Sequence, residues 1–330
     1  MKKILVTGGL GFIGSHAITS LLDLDYDIFC IDNCSNANLN IISRINKISS
    51  KPFIFRKISI ADQALGEFID ANEIDSVIHF AGLKSVGESV NFPAKYFYNN
   101  VIGSKILLDN LKKYKIKNFI FSSSATVYGK PLFLPLKENH PIRATNPYGQ
   151  NKIDIENMII NDSYFQTECS VKILRYFNPI GAHSSGIIGE SPIGIPNNLI
   201  PYILNVAKKV YSKLMIFGDD YNTHDGTGVR DYIHVMDLVQ GHIKAIQYNK
   251  LGISIFNLGT GQGYSVLDLV STFEKVNGIK IPFKIVDRRS GDVDSVFADP
   301  SKASDLLKFK ATRNLEEMCH DSWNFATRNN

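Results

Sequence analysis

The sequence predicts an α/β protein: a doubly wound parallel sheet followed by a smaller mixed α/β C-terminal lobe. Short apolar segments of strand length alternate with helix-length segments from Ile4 to Asn178, which is the rhythm of a parallel sheet covered by helices. Glycines and polar residues follow these apolar segments at once, as expected of strands that end at one binding edge. After Asn178 the alternation stops, and proline and glycine become frequent.

Six apolar segments predict the strands of this sheet, and the segments between them predict its helices. The predicted strands are Ile4–Val6, Ile28–Asp32, Phe53–Phe55, Ser76–Gly82 with its exit turn, Asn118–Ser124 and Val171–Asn178. The predicted helices are Ser15–Leu22, Ala64–Ala71, Pro93–Tyr114 and Tyr148–Gln166. In the lobe we expect a helix over Leu199–Lys209 and strands near Met215–Phe217, Ile255–Leu258 and Phe283–Val286. We therefore expect a first domain of residues 1–178 with part of 230–260, and a lobe of residues 179–229 and 261–330.

Composition argues against several classes of function. The 330 residues are 44% hydrophobic and 21% charged. The net charge is only +4 and the sequence has no run of basic residues, so we expect neither nucleic-acid nor membrane-surface binding. No apolar stretch reaches the roughly 18 residues of a membrane span, and the N-terminus lacks signal-peptide features. We expect the four cysteines to be free thiols in a cytoplasmic protein, because they form no C-x-x-C pair: Cys30, Cys34, Cys169 and Cys319.

A glycine-rich turn follows the first strand. Gly8, Gly11 and Gly14 are spaced G-x-x-G-x-x-G between that strand and the next helix. This order places backbone N–H groups and a helix N-terminus against a phosphate, as in the Rossmann fold. The alternative is a tight strand-to-helix turn that binds no ligand.

An acid ends the second strand. Asp32 lies 18 residues after Gly14, where it can accept hydrogen bonds from an adenosine ribose diol and repel a 2′-phosphate. Residues 33–36 include no Arg or Lys that could bind such a phosphate, so we expect NAD rather than NADP. The alternative is a helix cap or a loop acid.

A tyrosine and a lysine follow Asn146–Pro147 at a spacing of four residues. Tyr148 and Lys152 therefore share one face of the predicted helix. A free tyrosine has a pKa of roughly 10, and an ammonium beside it favours the phenolate. We expect Lys152 to lower the Tyr148 pKa and to make the tyrosine a base near neutral pH. The alternative is an ordinary surface helix, since this spacing is common by chance.

Together these features resemble the extended short-chain dehydrogenase/reductase family, and longer sequence segments across the chain resemble its UDP-glucose 4-epimerase members. The matching segments are Thr7–His16, His79–Lys84, Phe119–Gly129, Arg175–Pro179, Gly194–Asn198, Gly226–Asp237, and Arg288–Arg289 with Gly291–Asp292. The resemblance implies an isomerase that interconverts UDP-glucose and UDP-galactose through a 4-keto intermediate, with bound NAD and no net redox change. It also implies NAD binding by the first domain, UDP-sugar binding by the lobe, and a homodimer formed through the helices near 93–114 and 149–166.

The resemblance assigns roles to individual residues. Tyr148, as phenolate, would take the proton from the sugar O4, Lys152 would hold the phenolate and the nicotinamide ribose, and Ser124 would hydrogen-bond O4. The implied cofactor contacts are Gly8, Gly11, Phe12, Ile13, Gly14, Asp32, Asn33, Phe80, Ala81, Lys84, Asn99, Ser122, Tyr148, Lys152 and Tyr176. The implied substrate contacts are Lys84, Ser124, Asn178, Asn198, Leu199, Phe217, Arg230, Tyr232, Arg289, Asp292 and Val296. Arg230 and Arg289 suit a diphosphate because a guanidinium matches phosphate oxygens in a fork.

Two positions depart from the family pattern. Ser59 stands where members usually carry an Asp that contacts adenine, so we expect that contact to be weaker or absent. Val296 stands where several bacterial members restricted to glucose and galactose carry Tyr beside the sugar pocket. Because valine leaves room near the sugar C2 substituent, we expect UDP-GlcNAc and UDP-GalNAc to be turned over as well.

Two other functions compete with this interpretation. A nucleotide-sugar 4,6-dehydratase needs a carboxylic pair beside the serine, and Ser123–Tyr128 offers no acid. A catalytically silent, NAD-sensing binding protein would not need Tyr148, Lys152 and Ser124 together.

Two further patterns have structural explanations. Gly259–Gly263 resembles a second phosphate loop, but it also suits a turn before a helix capped by Ser265. The histidines show no ligand spacing, so we expect no metal site and interpret His224 and His234 as loop and structural residues.

Overall fold

The computed structural model describes residues 2–194, 196, 198–289 and 291–328. Its strands are β1 (Lys3–Thr7), β2 (Asp27–Ile31), β3 (Ile54–Arg56), β4 (Ser76–His79), β5 (Asn118–Ser124), β6 (Ser170–Tyr176), β7 (Asn178–Ile180), β8 (Leu214–Phe217), β9 (Val229–His234), β10 (Gly252–Leu258), β11 (Gly263–Ser265), β12 (Phe283–Val286) and β13 (Ser295–Val296). Its helices are α1 (Phe12–Asp23), α2 (Asn40–Ile48), α3 (Ala64–Ala71), α4 (Val86–Asn91), α5 (Pro93–Tyr96), α6 (Gly103–Lys113), α7 (Pro147–Ile160), α8 (Ser163–Thr167), α9 (Leu199–Ala207), α10 (Val235–Gln247), α11 (Val266–Asn277), α12 (Ser301–Leu307) and α13 (Leu315–Arg328). A π-helical segment, Phe97–Ile102, joins α5 to α6, and a 3-10 turn spans Ala125–Tyr128.

The main sheet confirms the predicted fold class. Its strand order is β10-β6-β5-β4-β1-β2-β3, and the registers of the pairs from β3 to β5 are parallel. This is the order of a doubly wound Rossmann sheet with one added strand. Thr7 lies opposite both Ile31 and His79, and Ile31 lies opposite Arg56, so β1, β2, β3 and β4 end at one level, past which β5 continues to Ser124. The residues that follow these strands therefore start from a common edge.

The central strands are continuous apolar segments because helices cover both faces of the sheet. Ile4, Leu5 and Val6 of β1 have no exposed surface. One core cluster joins β1, β2, β4, β5 and β6 to helices on one side, among them α3, α6 and α7. This packing fixes α7 against the end of β5, where the catalytic residues are predicted.

The chain divides into two compact units. The first unit comprises residues 1–129, 141–175 and 239–256, and the second comprises residues 130–140, 176–238 and 257–330. The second unit has its own core, which includes Ile203, Phe273 and Met318. It also has its own strand pairings, in which β9 pairs with β7, β11 and β13, and β8 pairs with β12. The assignment of one unit to the cofactor and the other to the sugar nucleotide stays a prediction.

Several predicted elements differ from the structure. The predicted helix Tyr148–Gln166 is two helices, because α7 ends at Ile160 and the Asp162 side chain accepts a hydrogen bond from the Tyr164 N–H at 3.0 Å to start α8. The predicted helix Pro93–Tyr114 contains the π-helical segment. By contrast, the Ser265 cap is confirmed, since Ser265 and Asp268 form a reciprocal capping box at the start of α11. The four cysteines are free thiols, as expected.

Candidate active site

The glycine turn after β1 packs tightly against the loop after β4. Gly8 has a φ of +66°, and a Cβ built there would lie 2.6 Å from the Ala81 backbone nitrogen. A Cβ on Gly14 would lie 2.4 Å from the Gly8 carbonyl oxygen. Gly11 precedes α1 and has no side chain that could cap the first turn of this helix. That first turn includes Phe12 and Ile13. The backbone N–H groups of that turn can therefore bind an anion such as a pyrophosphate.

Asp32 lies directly after β2, next to the glycine turn. Its carboxylate accepts hydrogen bonds from the backbone N–H of Leu10 at 3.1 Å and of Cys34 at 2.8 Å. Burial raises the Asp32 pKa, and these two hydrogen bonds oppose the increase. A carboxylate has about four acceptor sites, so capacity remains for a ribose diol. Asn33 follows as an exposed residue whose side chain accepts from the Ser35 N–H.

The loop after β4 carries Phe80, Ala81 and Lys84. The Phe80 ring lies 4.8 Å from the His242 ring, and the Lys84 Nζ lies 5.9 Å from the centroid of the Phe12 ring. Lys84 is therefore close to the start of α1, although its side chain is exposed.

Asn100 holds this loop in place. Its side chain accepts from the Leu83 N–H at 2.8 Å and donates to the Leu83 carbonyl at 2.9 Å. Asn100 and the partly buried Asn99 both lie in the π-helical segment, a type of helical irregularity that often occurs at functional sites.

Tyr148 and Lys152 lie on one face of α7, as the spacing predicted. Asn146 caps this helix by accepting from the Gly149 N–H at 2.8 Å, and Pro147 occupies its first turn. The Lys152 Nζ lies 5.8 Å from the Tyr148 ring centroid and donates to the Ser122 carbonyl at 2.7 Å. The Ser124 hydroxyl, which accepts from the Thr126 N–H at 3.2 Å, lies close enough to the Tyr148 phenol to lower its pKa. The structure thus brings together the three predicted catalytic residues.

The expected lowering of the Tyr148 pKa by Lys152 is wrong for the protein alone. Burial of the phenol raises the Tyr148 pKa to about 12, and the nearby Ser124 side chain opposes the increase only in part. Burial also lowers the Lys152 pKa to about 8, an effect that the nearby Glu156 carboxylate opposes. For both side chains, the loss of solvation has the largest effect on the pKa, because both lie against the sheet. The Lys152 ammonium is also directed to a backbone carbonyl rather than to the phenol oxygen.

Ser122 has a buried hydroxyl that a ligand could use. The residue is 1% exposed, and its Oγ has no hydrogen-bond partner among the residues that the structure describes. A buried hydroxyl of this kind costs free energy unless it finds a partner. Together with the glycine turn and Asp32, it makes the edge of this sheet fit a dinucleotide.

A second group of predicted residues comes together in the second unit. The Arg289 Nε lies 2.9 Å from the Asp292 carboxylate, and an Arg230 terminal nitrogen lies 4.0 Å from it. The Arg289 guanidinium stacks over the Phe217 ring at 4.8 Å. Val296 of β13 lies opposite Arg230 of β9 in the paired register. Two guanidiniums beside an aromatic ring and a small apolar side chain suit a nucleoside diphosphate joined to a sugar.

Tyr232 and Asn178 are neighbours across the β7–β9 pair in the second unit. Tyr232 is buried, and burial raises its pKa to about 12 while Arg230 and Arg289 act in the opposite direction. Asn178 lies opposite Tyr232 in the β7–β9 pair, and Tyr176 ends β6.

Asn198 donates from its side chain to Glu190 at 2.7 Å, and Leu199 is the first residue of α9. Within the described residues, no hydrogen bond or ion pair joins Asn198 or Leu199 to the Arg230–Asp292 group. Ile195 and Asn197 of the same segment lie outside the described residues.

Two further expectations concern Ser59 and His224. The Ser59 hydroxyl accepts from the Ala61 N–H at 3.2 Å, so it supports a local turn. His224, Asp225 and Asp268 form a small cluster in which only the histidine is exposed, and each carboxylate accepts a hydrogen bond from Ser265 at the start of α11. That cluster therefore has a structural explanation.

Sequence reasoning missed the buried residues that contact the predicted catalytic residues. Glu156 lies one helical turn after Lys152 on α7, and it is paired with Arg175 of β6 and hydrogen-bonded to Ser123 of β5. The spacing of four residues from Lys152 was the available signal.

Comparisons with known proteins find relatives over nearly the whole chain. Residues 5–322 match a family model described as GDP-mannose 4,6 dehydratase. A curated UDP-glucose 4-epimerase from Bacillus subtilis (strain 168) is 51% identical over 329 residues, covering 99% of this chain and 97% of its own. The chain belongs to the UDP-glucose 4-epimerase family. This family lies within the extended short-chain dehydrogenases/reductases, to which the matching model also refers.

Two solved structures of such epimerases are similar over nearly their whole length. One, from Stenotrophomonas maltophila, has bound NAD and formylated UDP-arabinopyranose; it is 42% identical, with a TM-score of 0.97, covering 99% of this chain and 98% of its own. The other, from Bifidobacterium longum, is in complex with NAD+ and UDP; it is 45% identical, with a TM-score of 0.96, covering 99% of each chain. The fold and the family are therefore established along the full sequence.

Proposed function

We propose that this chain is an NAD-dependent UDP-hexose 4-epimerase that interconverts UDP-glucose and UDP-galactose through a 4-keto intermediate. The observation that carries the proposal is the group formed by Tyr148 and Lys152 on α7 and Ser124 at the end of β5. Similarity to curated UDP-glucose 4-epimerases over the full chain supports it. The reaction has no net redox change, so the enzyme is an isomerase. It would act in carbohydrate metabolism, including the metabolism of galactose.

The first unit would hold NAD. The Gly8–Gly14 turn and the start of α1 would bind the pyrophosphate, Asp32 the adenosine ribose, and the buried Ser122 hydroxyl the nicotinamide side. Phe80, Ala81, Lys84 and Asn99 would line the same side, which Asn100 orders by holding Leu83. When bound, NAD+ supplies the hydride acceptor for the sugar C4 and a positive charge that favours a phenolate nearby.

Tyr148, Ser124 and Lys152 would move and hold the proton of the sugar O4. Tyr148 accepts this proton during oxidation at C4 and returns it when the ketone is reduced on its other face. Burial opposes the phenolate that this step needs, and the nearby Ser124 side chain opposes that effect. Lys152 is itself held by the Ser122 carbonyl, which keeps its charge beside the Tyr148 ring.

The second unit would bind the UDP portion through Arg230, Arg289 and Asp292, with Phe217 near the uracil. Arg289→Lys is expected to raise the KM for UDP-galactose about tenfold, because lysine keeps the charge but loses the forked contact with phosphate oxygens. Steady-state kinetics on purified variants measures this change.

Arg288→Lys is the matched control, since Arg288 stacks on Tyr221 and pairs with Asp220 rather than with Asp292. An increase in KM no larger for Arg289→Lys than for Arg288→Lys would contradict the assignment of Arg289.

Val296 is proposed to widen the range of sugars to UDP-GlcNAc and UDP-GalNAc. Its side chain is partly buried on β13, opposite Arg230. Val296→Tyr is expected to reduce kcat/KM for UDP-GalNAc roughly tenfold or more while changing UDP-galactose turnover little, because a ring excludes the larger C2 substituent. Parallel assays of both sugars test this, with Val296→Ala as a control that keeps the space open. Unchanged N-acetyl activity in Val296→Tyr would show that another residue sets the range.

The competing functions have less support. A 4,6-dehydratase needs a free carboxylic pair beside the reacting serine, whereas Glu156, the acid that contacts Ser123, is paired with Arg175. The family model named for a dehydratase matches the shared fold, and curated relatives at 51% and 52% identity are UDP-glucose 4-epimerases. A silent NAD-sensing protein would have no use for the Ser124–Tyr148–Lys152 group.

A homodimer through α4–α7 is the proposed assembly. Several large apolar side chains before and within the π-helical segment are exposed: Val90, Phe92, Phe97 and Tyr98. A groove of about 620 Å³ beside them is lined in part by Phe97, Pro147 and Asn151. A second copy of this chain would cover these paired helix faces. Sedimentation equilibrium at micromolar concentration should give the dimer mass, and a monomer mass would contradict the proposal.

The proposed location is the cytoplasm. The four cysteines are free thiols, which suits a reducing compartment. No helix within the described residues combines the length and the apolar character needed to cross a bilayer.

The direct test of function uses purified protein without added reductant. UDP-galactose and UDP-GalNAc are incubated with it separately, and the anomeric protons are followed by NMR. Conversion of UDP-galactose to its C4 epimer supports the proposed epimerase, and conversion of UDP-GalNAc supports the wider sugar range. Conversion of UDP-galactose alone would remove only the wider range. No conversion of either, with NAD supplied, would overturn the proposed function and favour the NAD-sensing alternative.

A further inference from the structure

A buried ion pair lies beneath the catalytic residues in the first unit. The Arg175 Nε lies 3.0 Å from one Glu156 carboxylate oxygen, and the Arg175 Nη2 lies 2.5 Å from the other. The two side chains are 3% and 0% exposed. Arg175 also contacts Tyr128, whose hydroxyl lies 3.3 Å from its Nη1. Both Glu156 oxygens are thus fixed by a forked, charge-assisted contact.

The same carboxylate is tied to the strand that carries Ser124. The Ser123 hydroxyl donates to Glu156 at 2.5 Å. On either side of Ser123, the Ser122 carbonyl accepts from Lys152, and the Ser124 side chain lies near the Tyr148 phenol and lowers its pKa. Two consecutive residues at the end of β5 are therefore hydrogen-bonded to α7 directly before Ser124, and Glu156 accepts one of these two bonds.

Glu156 also acts electrostatically on the Lys152 ammonium. His79, Tyr148 and Glu156 are the titratable groups that act on or face Lys152 among the described residues. His79 is neutral, since burial lowers its pKa to about 3, and Tyr148 is held as the phenol. Glu156 is therefore the negative charge that opposes the loss of the Lys152 proton on burial.

A purely structural role would not require charge at this place. A buried ion pair is often no more stabilising than apolar side chains of similar volume, although removing one partner alone is strongly destabilising. The link to Ser123 and the effect on Lys152 distinguish this pair from one that only fills the core.

We propose that Glu156 is a positioning residue for the epimerisation: held by Arg175, it fixes the end of β5 against α7 through Ser123 and stabilises the ammonium of Lys152. This inference rests on the proposed function, because Ser124, Tyr148 and Lys152 must act together for it to matter. Glu156 touches neither substrate nor cofactor in this account, and it acts through Ser123 and Lys152.

The test compares three variants of the full-length enzyme loaded with NAD: Glu156→Gln, Glu156→Gln/Arg175→Met and Glu156→Asp. Thermal stability, NAD content, and kcat and KM for UDP-galactose from pH 6 to pH 10 are measured for each. Glu156→Gln is expected to lower kcat roughly 10- to 100-fold with KM nearly unchanged, the size of loss that small displacements of catalytic groups cause. The alkaline limb of its kcat profile should move to lower pH, because an ammonium without a nearby anion loses its proton more readily.

The double variant separates position and charge from stability. It removes both charges, so we expect it to recover the melting temperature but to keep a low kcat and a shifted alkaline limb. Glu156→Asp keeps the charge and should retain most of the wild-type pH profile. A double variant with wild-type kcat and pH profile would overturn the inference and leave the pair a structural feature.

Ser123→Ala covers the case in which Glu156→Gln does not fold. It removes the link to β5 and keeps the ion pair, so kcat should fall several-fold with the alkaline limb unchanged. Wild-type kcat in Ser123→Ala would overturn the positioning role. If the wild-type protein itself fails to epimerise UDP-galactose, the proposed function fails instead, and this result is distinct from any outcome among the variants.

Discussion

Tyr148→Phe is expected to lower kcat for UDP-galactose by roughly 10²- to 10⁴-fold, because it removes the group that accepts the O4 proton. The substitution deletes one oxygen from a side chain whose ring packs beside Lys152, so NAD content and melting temperature should stay near wild-type values. Steady-state kinetics and the absorbance of the released cofactor measure these quantities on the same preparation.

Tyr248→Phe is a matched control for this prediction. Tyr248 is partly buried in the same unit, with its ring edge-on to Phe256, and it belongs to no proposed site. Turnover in Tyr248→Phe should equal wild-type turnover. Activity in Tyr148→Phe within a few-fold of wild type would mean that another group accepts the proton.

Gly8→Ala is expected to weaken NAD binding by about 100-fold or more. A Cβ at Gly8 would lie 2.6 Å and 2.7 Å from the Ala81 backbone nitrogen and Cα, so the glycine turn would have to move away from the loop after β4. Displacement of about an ångström in a site of this kind has effects of that size. Isothermal titration with NAD on protein stripped of nucleotide measures the change.

Gly278→Ala controls for backbone strain in this experiment. Gly278 has the same φ of +66°, but a Cβ built there meets no atom within 4 Å. Both variants therefore place alanine in the left-handed region, at a cost of about 1 kcal/mol or more in each. Only Gly8→Ala should lose NAD. Equal NAD affinity in the two variants would show that the approach of Gly8 to Ala81 does not shape the cofactor site.

Much of the fold follows from local patterns in the sequence. The continuous apolar segments of β1, β4 and β5 are recognisable because both of their faces are buried. The glycine spacing and Asp32 indicate where the first two strands end, and Pro147 with Asn146 indicates where α7 begins. These features depend on neighbours in the chain, which the sequence shows directly.

The remainder depends on contacts between distant segments. The Tyr148 pKa could not be predicted from the Tyr-x-x-x-Lys spacing, because burial against the sheet has more effect on the phenol than Lys152 has. Asn100 and Glu156 were missed for a similar reason, since their partners, Leu83 and Arg175, lie 17 and 19 residues away in sequence. Strand β9 was not predicted, although its residues lie in a segment that was predicted to bind substrate.

The central claim is that the hydride removed from C4 stays bound in the enzyme and returns to C4 on the opposite face. The most direct test is to incubate the purified protein with UDP-galactose carrying deuterium at C4, in ordinary water with no added NADH. The proposed mechanism predicts UDP-glucose that retains the deuterium at C4, because the hydride returns without exchange with solvent. UDP-glucose with hydrogen at C4, or a 4-keto-6-deoxy sugar in its place, would contradict it.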